Sequence, residues 1–466
     1  MVPFVGPSYS LALRKASLQR AVNLYLQGME VPGKAPFVLA SVPGYAVFAD
    51  LGAAVRGRLT TNDRCFFVAG STLYELDSEG TPTNRGTLLT DSGPVEMEYG
   101  TTQVVIVDGP NGYTLTLADN TFAQITSDGF YGSNRVEFLD NYFLFVRPDS
   151  GQFYISAIND AQTEDPLDFA TAESAPDDLV ALLAVQRRLL LFGQVTTEVW
   201  FNSGDADFPF AREGTTIEVG CIAAHSVRTV DNTAFWIGGD KNGAGIVYRL
   251  QGYQASRISN QAVEESLQSS TDISAATAYA YQENGLTFYA INAPGLKQTW
   301  VYEVKSGQWH ERCDLDSDGQ FMADRGVVHA YAFGLHLIGG SDGVVYRLDR
   351  ELSDKAGTPL VRERTSPHDE TPSLKHHFYQ GFFLDCLTGE APQGVTPYVE
   401  LSWSDDSGAT WANHIIKSCG AVGERWARVP FRRLGRSRDR VWRVRMSDNA
   451  PFAILNVTIP TGEGVH

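Results

Sequence analysis

The 466 residues exceed what one ordinary core serves, so two or three domains are expected. A hydrophobic share of 43% with 11% aromatics excludes wholesale disorder, and 44 Gly with 21 Pro supply the frequent turns of an all-β chain. The formal charge of −18 argues against an outer surface built to grip nucleic acid, which needs clustered Lys and Arg, but allows an acidic wall that DNA passes without sticking.

Residues 1–40 lack the continuous apolar stretch and cleavage site of a secretion signal, and no run in the chain approaches the roughly 20 apolar residues of a membrane span. They read as an extended N-terminal segment. From Cys65 onward, short apolar strands recur in pairs bounded by Gly, Asp and Asn: "CFFVAGSTLYELDSEG", "VVIVDGPNGYTLTLADN", "YFLFVRPDSGQFYISAIND", "LLLFGQVTTEVWFNSGD", "AFWIGGDKNGAGIVYRLQG", "LTFYAINAPGLKQTWVYEVKSGQW" and "HLIGGSDGVVYRLDRE". With Tyr74, Tyr113, Tyr154, Trp200, Tyr248, Tyr302 and Tyr346 as markers, the steps run from 39 to 54 residues. A four-stranded propeller blade takes roughly 40–50. One hairpin cannot bury both faces, whereas blades stacked around an axis bury each against a neighbour. Residues 41–350 are therefore expected to form a β-propeller of six or seven blades, joined by the extended segment 1–40, with an irregular stack of hairpins as the alternative.

The pattern breaks after Glu351. "SDKAGTPLVRERTSPHDETPS" is polar and contains proline, so residues 351–372 read as a linker or excursion. Over residues 373–466, "HHFYQGFFLDCL", "TPYVELSWSDD", "RWARVPFRRLG", "RVWRVRMSD" and "FAILNVTIP" alternate with period two, as a small antiparallel β-sandwich requires.

Few stretches carry candidate chemistry. Asp314, Asp316 and Asp318 before Gly319 resemble the first half of a calcium loop, but position twelve is Arg325 where a bidentate Glu is needed; an acidic turn is the simpler reading, with calcium as the alternative. Gly238–Gly245 is glycine-rich but precedes a strand, not a phosphate-binding helix. Thr90–Val95 faintly resembles a serine nucleophile motif without the glycines of an oxyanion hole, and no GxSxG elbow occurs. His376 and His377 could begin a metal site, or merely be exposed at a strand start. The five scattered cysteines show no zinc spacing and read as thiols of a protein made in a cytoplasm. No cofactor is implied.

"LSWSDDSGATW" carries Ser404, Asp406, Gly408, Thr410 and Trp411 at the spacing of the Asp-box, a hairpin turn found in sialidases and other propeller glycosidases. Each residue has a folding job: Gly408 supplies positive φ, Asp406 accepts backbone N–H groups, and Trp411 folds over the hairpin. A glycosidase would also need a carboxylate pair at a suitable separation, and the sequence marks neither that pair nor an arginine set. Glu424–Arg445 carries nine arginines against two acids. Arg436, Arg438, Arg440, Arg443 and Arg445 are the candidates for a docking surface toward an acidic neighbour, including a second copy; a solvated ion-paired face and a DNA contact are the alternatives.

"RAVNLYLQ", "GKAPFVLASVPGYAVFA", "LVRERTSPH", "LSWSDDSGATW" and "RRLGRSRDRVWRVRMSD", in that order across nearly the whole chain, resemble the packaged-DNA stabilisation proteins of short-tailed phages, also called tail hub or nozzle proteins. The resemblance implies a non-enzymatic virion component made in the host cytoplasm. It implies several copies, typically six, beneath the portal and its adaptor ring, extending the DNA channel, retaining the genome, and meeting tail fibres or tailspikes and a distal plug or needle. A propeller glycosidase or depolymerase, or a carbohydrate-binding receptor-recognition protein, is the alternative.

Overall fold

The computed structural model describes residues 4–31, 34–240, 243–370 and 375–463; the middle of the Gly238–Gly245 stretch lies outside these. Seven four-stranded antiparallel sheets stand around one axis. Their innermost strands are Val55–Thr61, Glu96–Tyr99, Val136–Leu139, Leu179–Val185, Arg228–Val230, Thr277–Glu283 and Gly326–Ala332, which define blades 1 to 7 in that order. Each innermost strand lies beside the next, and the seventh lies beside the first, so the ring closes.

Closure uses the start of the chain. Gly44–Asp50 pairs antiparallel with Val344–Asp349 and completes blade 7 from outside. Each pair of neighbouring blades shares one apolar cluster. Val68, Met97 and Ile106 join blades 1 and 2, and Ala330, Leu337 and Phe67 join blades 7 and 1. All seven marker aromatics fall on the third strand of their blades, where the ring packs into these inter-blade layers.

Six of the seven innermost strands turn into their neighbours through two residues with positive φ: Asn62–Asp63, Asp140–Asn141, Gln186–Arg187, Asp231–Asn232, Asn284–Gly285 and Phe333–Gly334. Two left-handed residues make a turn whose twist matches paired strands, and Asn, Asp and Gly adopt that conformation at least cost.

The sandwich packs two five-stranded layers over a core that includes Trp442, Phe382, Phe431, Leu384 and Val444. One layer runs Leu18–Val22, Arg362–Thr365, Asp439–Met446, Tyr398–Ser404 and Ile415–Ser418; the other runs Leu24–Gly28, Phe37–Ser41, Ala453–Thr458, Phe382–Cys386 and Val429–Phe431. Two boundaries therefore differ from expectation. The N-terminal segment gives Leu18–Val22 to one layer and Leu24–Gly28 and Phe37–Ser41 to the other, instead of only leading into the propeller. Residues 351–372 are not simply a linker, because Arg362–Thr365 is a buried strand pairing Leu18–Val22 on one side and Asp439–Met446 on the other. Period-two patterning cannot reveal such a strand when its buried residues are arginines.

The two units are joined by continuous sheet. Val22 pairs in parallel with Glu311 on the outermost strand of blade 6, Gln308–Leu315. At Asn23, buried and at φ 53°, the chain crosses from one sandwich layer to the other. The Asn23 side chain donates to the Cys313 carbonyl (3.0 Å) and the Val361 carbonyl (2.8 Å), and accepts from the Cys313 N–H (3.0 Å). One short polar side chain thus satisfies backbone groups of both units.

Candidate functional site

The innermost strands and the residues just before them read as apolar runs interrupted by charge: Arg58, Glu96, Glu98, Arg135, Glu137, His225, Arg228 and His329. Folding brings these, from five blades, around one axial cavity of about 460 Å³. Glu96 is its hub. It meets Arg228 Nη2 at 2.9 Å, His225 Nδ1 at 3.0 Å and Arg135 Nη1 at 3.1 Å, while Arg135 Nη2 also donates to Glu137 (3.1 Å). Burial alone would raise the Glu96 carboxyl; the surrounding cations, Arg228 first, outweigh it and hold the pKa well below the ordinary range. Glu98 and Glu137 go the other way: burial raises both, and Glu98 is raised further by Glu137 beside it. The cavity shares Arg58, Ala280 and His329 with a wider mouth lined by Tyr281, Tyr331 and His336. Sequence reasoning missed this set. Its signal was charge at the innermost strand of successive blades, as in "VRGRL", "VEMEY" and "RVEFL".

The candidates named from sequence sit elsewhere. Asp314, Asp316 and Asp318 do not converge. Asp314 is buried and takes Arg325 Nε at 2.7 Å and Lys355 Nζ at 2.9 Å, while Asp316 Oδ1 accepts the N–H groups of Asp318 (3.0 Å) and Gln320 (2.8 Å). Among the described residues no group of three His, Cys, Asp or Glu is placed to hold a metal ion, His376 and His377 included. The calcium alternative therefore has no ligand set: Asp314 neutralises two cations and Asp316 closes a turn. In Thr90–Val95, Arg56 binds the carbonyls of Thr90 (2.8 Å) and Gly93 (2.6 Å), so the loop is a strapped turn at the ring wall. The five cysteines are buried thiols.

The Asp-box lies in the sandwich. Asp406 Oδ1 accepts from the Thr410 N–H (2.8 Å) and Ser404 Oγ (2.7 Å), Asp406 Oδ2 accepts from Thr410 Oγ1 (2.6 Å), and Ser404 Oγ accepts from the Gly408 N–H (2.8 Å). These bonds lower the Asp406 pKa to about 2. Gly408 has φ +83°, and a Cβ there would meet Leu18 Cδ1 at 2.7 Å, so the hairpin is seated on the N-terminal strand. Trp411 stacks beneath Arg443, whose Cζ is 4.0 Å from the ring centre.

The arginine set divides. Arg440 is buried, not at a surface: Asp405 takes it at 2.6 and 2.7 Å, and the rings of Tyr379, Trp403 and Trp442 surround its guanidinium at 4.6–5.0 Å. Arg443 and Arg445 are half-buried and turned toward the propeller, with Arg445 over Phe321. Arg436 and Arg438 stay exposed, together with Arg425, Arg428, Arg432 and Arg433. Strand alternation predicted one arginine face; the aromatic core claims its middle.

Family models described as bacteriophage P22 Gp10, beta-propeller, and bacteriophage P22 Gp10, beta-sandwich, match residues 18–353 and 375–462. No curated protein matches. Similar solved structures include virginiamycin B lyase from Staphylococcus aureus, at 8% identity and TM-score 0.45 over 64% of this chain and 97% of that one. PorZ of Porphyromonas gingivalis is another, at 14% identity and TM-score 0.39 over 80% and 46%. Likeness at this level carries no functional information.

Proposed function

This chain belongs to the bacteriophage P22 Gp10 family and is a structural protein of a phage tail; from that premise we propose that it is a wall unit of the tail hub. Copies of it, six in this reading, form a ring below the portal-adaptor, extend the DNA channel, retain the packaged genome and anchor tail fibres or tailspikes and a distal plug or needle. DNA passes without sequence-specific contact.

The observation that carries this reading is the continuous sheet from blade 6 into the sandwich. A conduit under genome pressure needs subunits that do not hinge, and here the N-terminal strands and the Asn23 crossing make the two units one piece. The net charge of −18 suits a bore that repels phosphate. The exposed arginines Arg432, Arg433 and Arg436 offer a side face to an acidic neighbour, since a planar guanidinium pairs bidentately with carboxylates.

A reconstruction of the virion tail tests the reading: a ring of propeller-sandwich subunits coaxial with the channel is expected. A tail without such a ring, or purified chain that stays monomeric when adaptor rings are added, overturns it. Charge reversal at Arg432, Arg433 and Arg436 should impair ring assembly with the fold intact; reversal at Arg440 should instead damage the fold.

A further inference from the structure

The axial cavity encloses one arginine that none of its carboxylates pairs directly. Arg58, from blade 1, lines it and is half-buried, yet among the described residues its guanidinium makes no hydrogen bond or ion pair. Arg228 faces the same space from blade 5 and has no spare capacity to move away. Its Nε donates to the Ala278 carbonyl (2.8 Å), its Nη1 to the Val227 carbonyl (3.1 Å) and its Nη2 to Glu96 (2.9 Å). Burial and the Arg228 charge lower the Arg58 pKa by more than Glu96 and Glu98 raise it. Arg135 lines the same cavity at 2% exposure and leaves its Nε without a hydrogen-bond partner.

Glu98 lines the same cavity within the field of Arg58, but its carboxyl accepts the Tyr99 backbone N–H and makes no direct hydrogen bond to Arg58. Beside Glu137 in an enclosed site, Glu98 is favoured as the neutral acid, which donates a hydrogen bond instead of supplying charge. The Arg58 guanidinium and the Arg135 Nε are thus two donors without a protein partner, on blades 1 and 3, in a space open to solvent through the mouth at Tyr281 and Tyr331.

We propose that the axial cavity is an anion site, in which an oxyanion of phosphate or carboxylate size is bound by Arg58 and the Arg135 Nε and held in the field of Arg228. The bound oxyanion accepts the N–H groups that the protein leaves unanswered and bridges blades 1 and 3 across the axis, facing Arg228 of blade 5. The cavity, at about 460 Å³, has room beyond the oxyanion for water or for the organic part of a carboxylate. This site is independent of the tail-wall role, since it lies inside one subunit.

The test is titration of the full chain with inorganic phosphate, and in a second arm with acetate, at fixed ionic strength, read by calorimetry and thermal unfolding. Saturable binding of one anion per chain with a rising Tm is expected, and the stronger arm identifies the source of the oxyanion. Arg58→Gln should bind about tenfold or more weakly, as loss of a charged hydrogen bond implies, with unchanged circular dichroism; Lys305→Gln, altered on the outer surface where Lys305 pairs with Glu30, should bind as wild type does. A linear, unsaturated response in the wild type, or equal affinity in Arg58→Gln, overturns the proposal. Crystals soaked in selenate give a readout that needs no variant: anomalous density within hydrogen-bond reach of Arg58 supports the site, and density confined to the outer surface overturns it.

Discussion

At the seam between propeller and sandwich, Arg364 is fully enclosed without a carboxylate, yet its Nε donates to the Phe4 carbonyl (2.7 Å) and its Nη1 to the carbonyls of Pro7 (2.7 Å) and Arg20 (3.3 Å). Arg362 beside it donates to the Ala450 carbonyl (2.8 Å). On the propeller axis, Arg58 is less buried and makes no hydrogen bond or ion pair among the described residues, feeling Glu96 and Glu98 only at a distance. The same side chain is used in opposite ways. At the seam its fork ties together backbone segments far apart in sequence, so the cost of desolvating the charge is offset by bonds that exist only in the folded chain. On the axis its fork ties no backbone segments together. Buried charge that is fully answered marks architecture; enclosed charge left unanswered marks a place for something else.

Substitutions can break or sharpen that contrast. The largest effect is expected for Lys355→Met. Lys355 Nζ pairs with Asp314 and Asp324 and donates to the Cys313 carbonyl (3.0 Å), and its loss leaves buried Asp324 without a cation and Asp314 with Arg325 alone, costing about 3–5 kcal/mol in denaturant unfolding. The effect depends on pH. Burial would raise the Asp314 carboxyl, but Lys355 and Arg325 outweigh it and hold the folded pKa below the unfolded one. This stabilisation is present above about pH 4 and lost as pH falls through the folded value. The variant's deficit should therefore shrink as pH drops below about 4, and a deficit constant with pH would refute the pairing.

Arg364→Ala should cost about 2–4 kcal/mol, because three carbonyls lose their donor and a void opens between the N-terminal segment and Arg362–Thr365. Gly408→Ala should cost about 1–3 kcal/mol from positive φ and the approach to Leu18, and Leu18→Ala should relieve part of it in a double-mutant cycle. Arg58→Gln, at the other pole, should change stability by no more than about 0.5 kcal/mol in anion-free buffer. A loss comparable to that of Arg364→Ala would erase the distinction between seam and axis.

The propeller was legible in the sequence because each blade repeats the same local device, a strand pair with an aromatic on its third strand, so Tyr74, Tyr113 and the five later markers kept time. The turns Asn62–Asp63, Asp140–Asn141 and Asp231–Asn232 were legible too, as paired left-handed formers between apolar runs, and they fix which end of each blade begins at the axis. The seam was not legible. Leu18–Val22 finds partners near residues 311 and 364, a pairing that no local pattern announces, and "LVRERTSPH" looks polar although Arg362 and Arg364 are core residues. The Asp-box could be read because its bonds are local; Arg440 was misjudged because Asp405 and three rings that enclose it are brought to it only by the folded sandwich. The axial set stayed hidden for the same reason: its members lie on five blades.

The strand Gly44–Asp50 completes blade 7 only after Val344–Asp349 exists, about 300 residues later. At about 5–20 residues per second, synthesis leaves that strand without its partner for about 15–60 s, its backbone edge open to any other chain nearby. Blades 1 to 6 can form while the ribosome is still working, but the circle is finished only near the end of translation. Crowded lysis-stage expression should therefore favour exchange of this strand between nascent chains, and slowing elongation should lengthen the window in which that error happens.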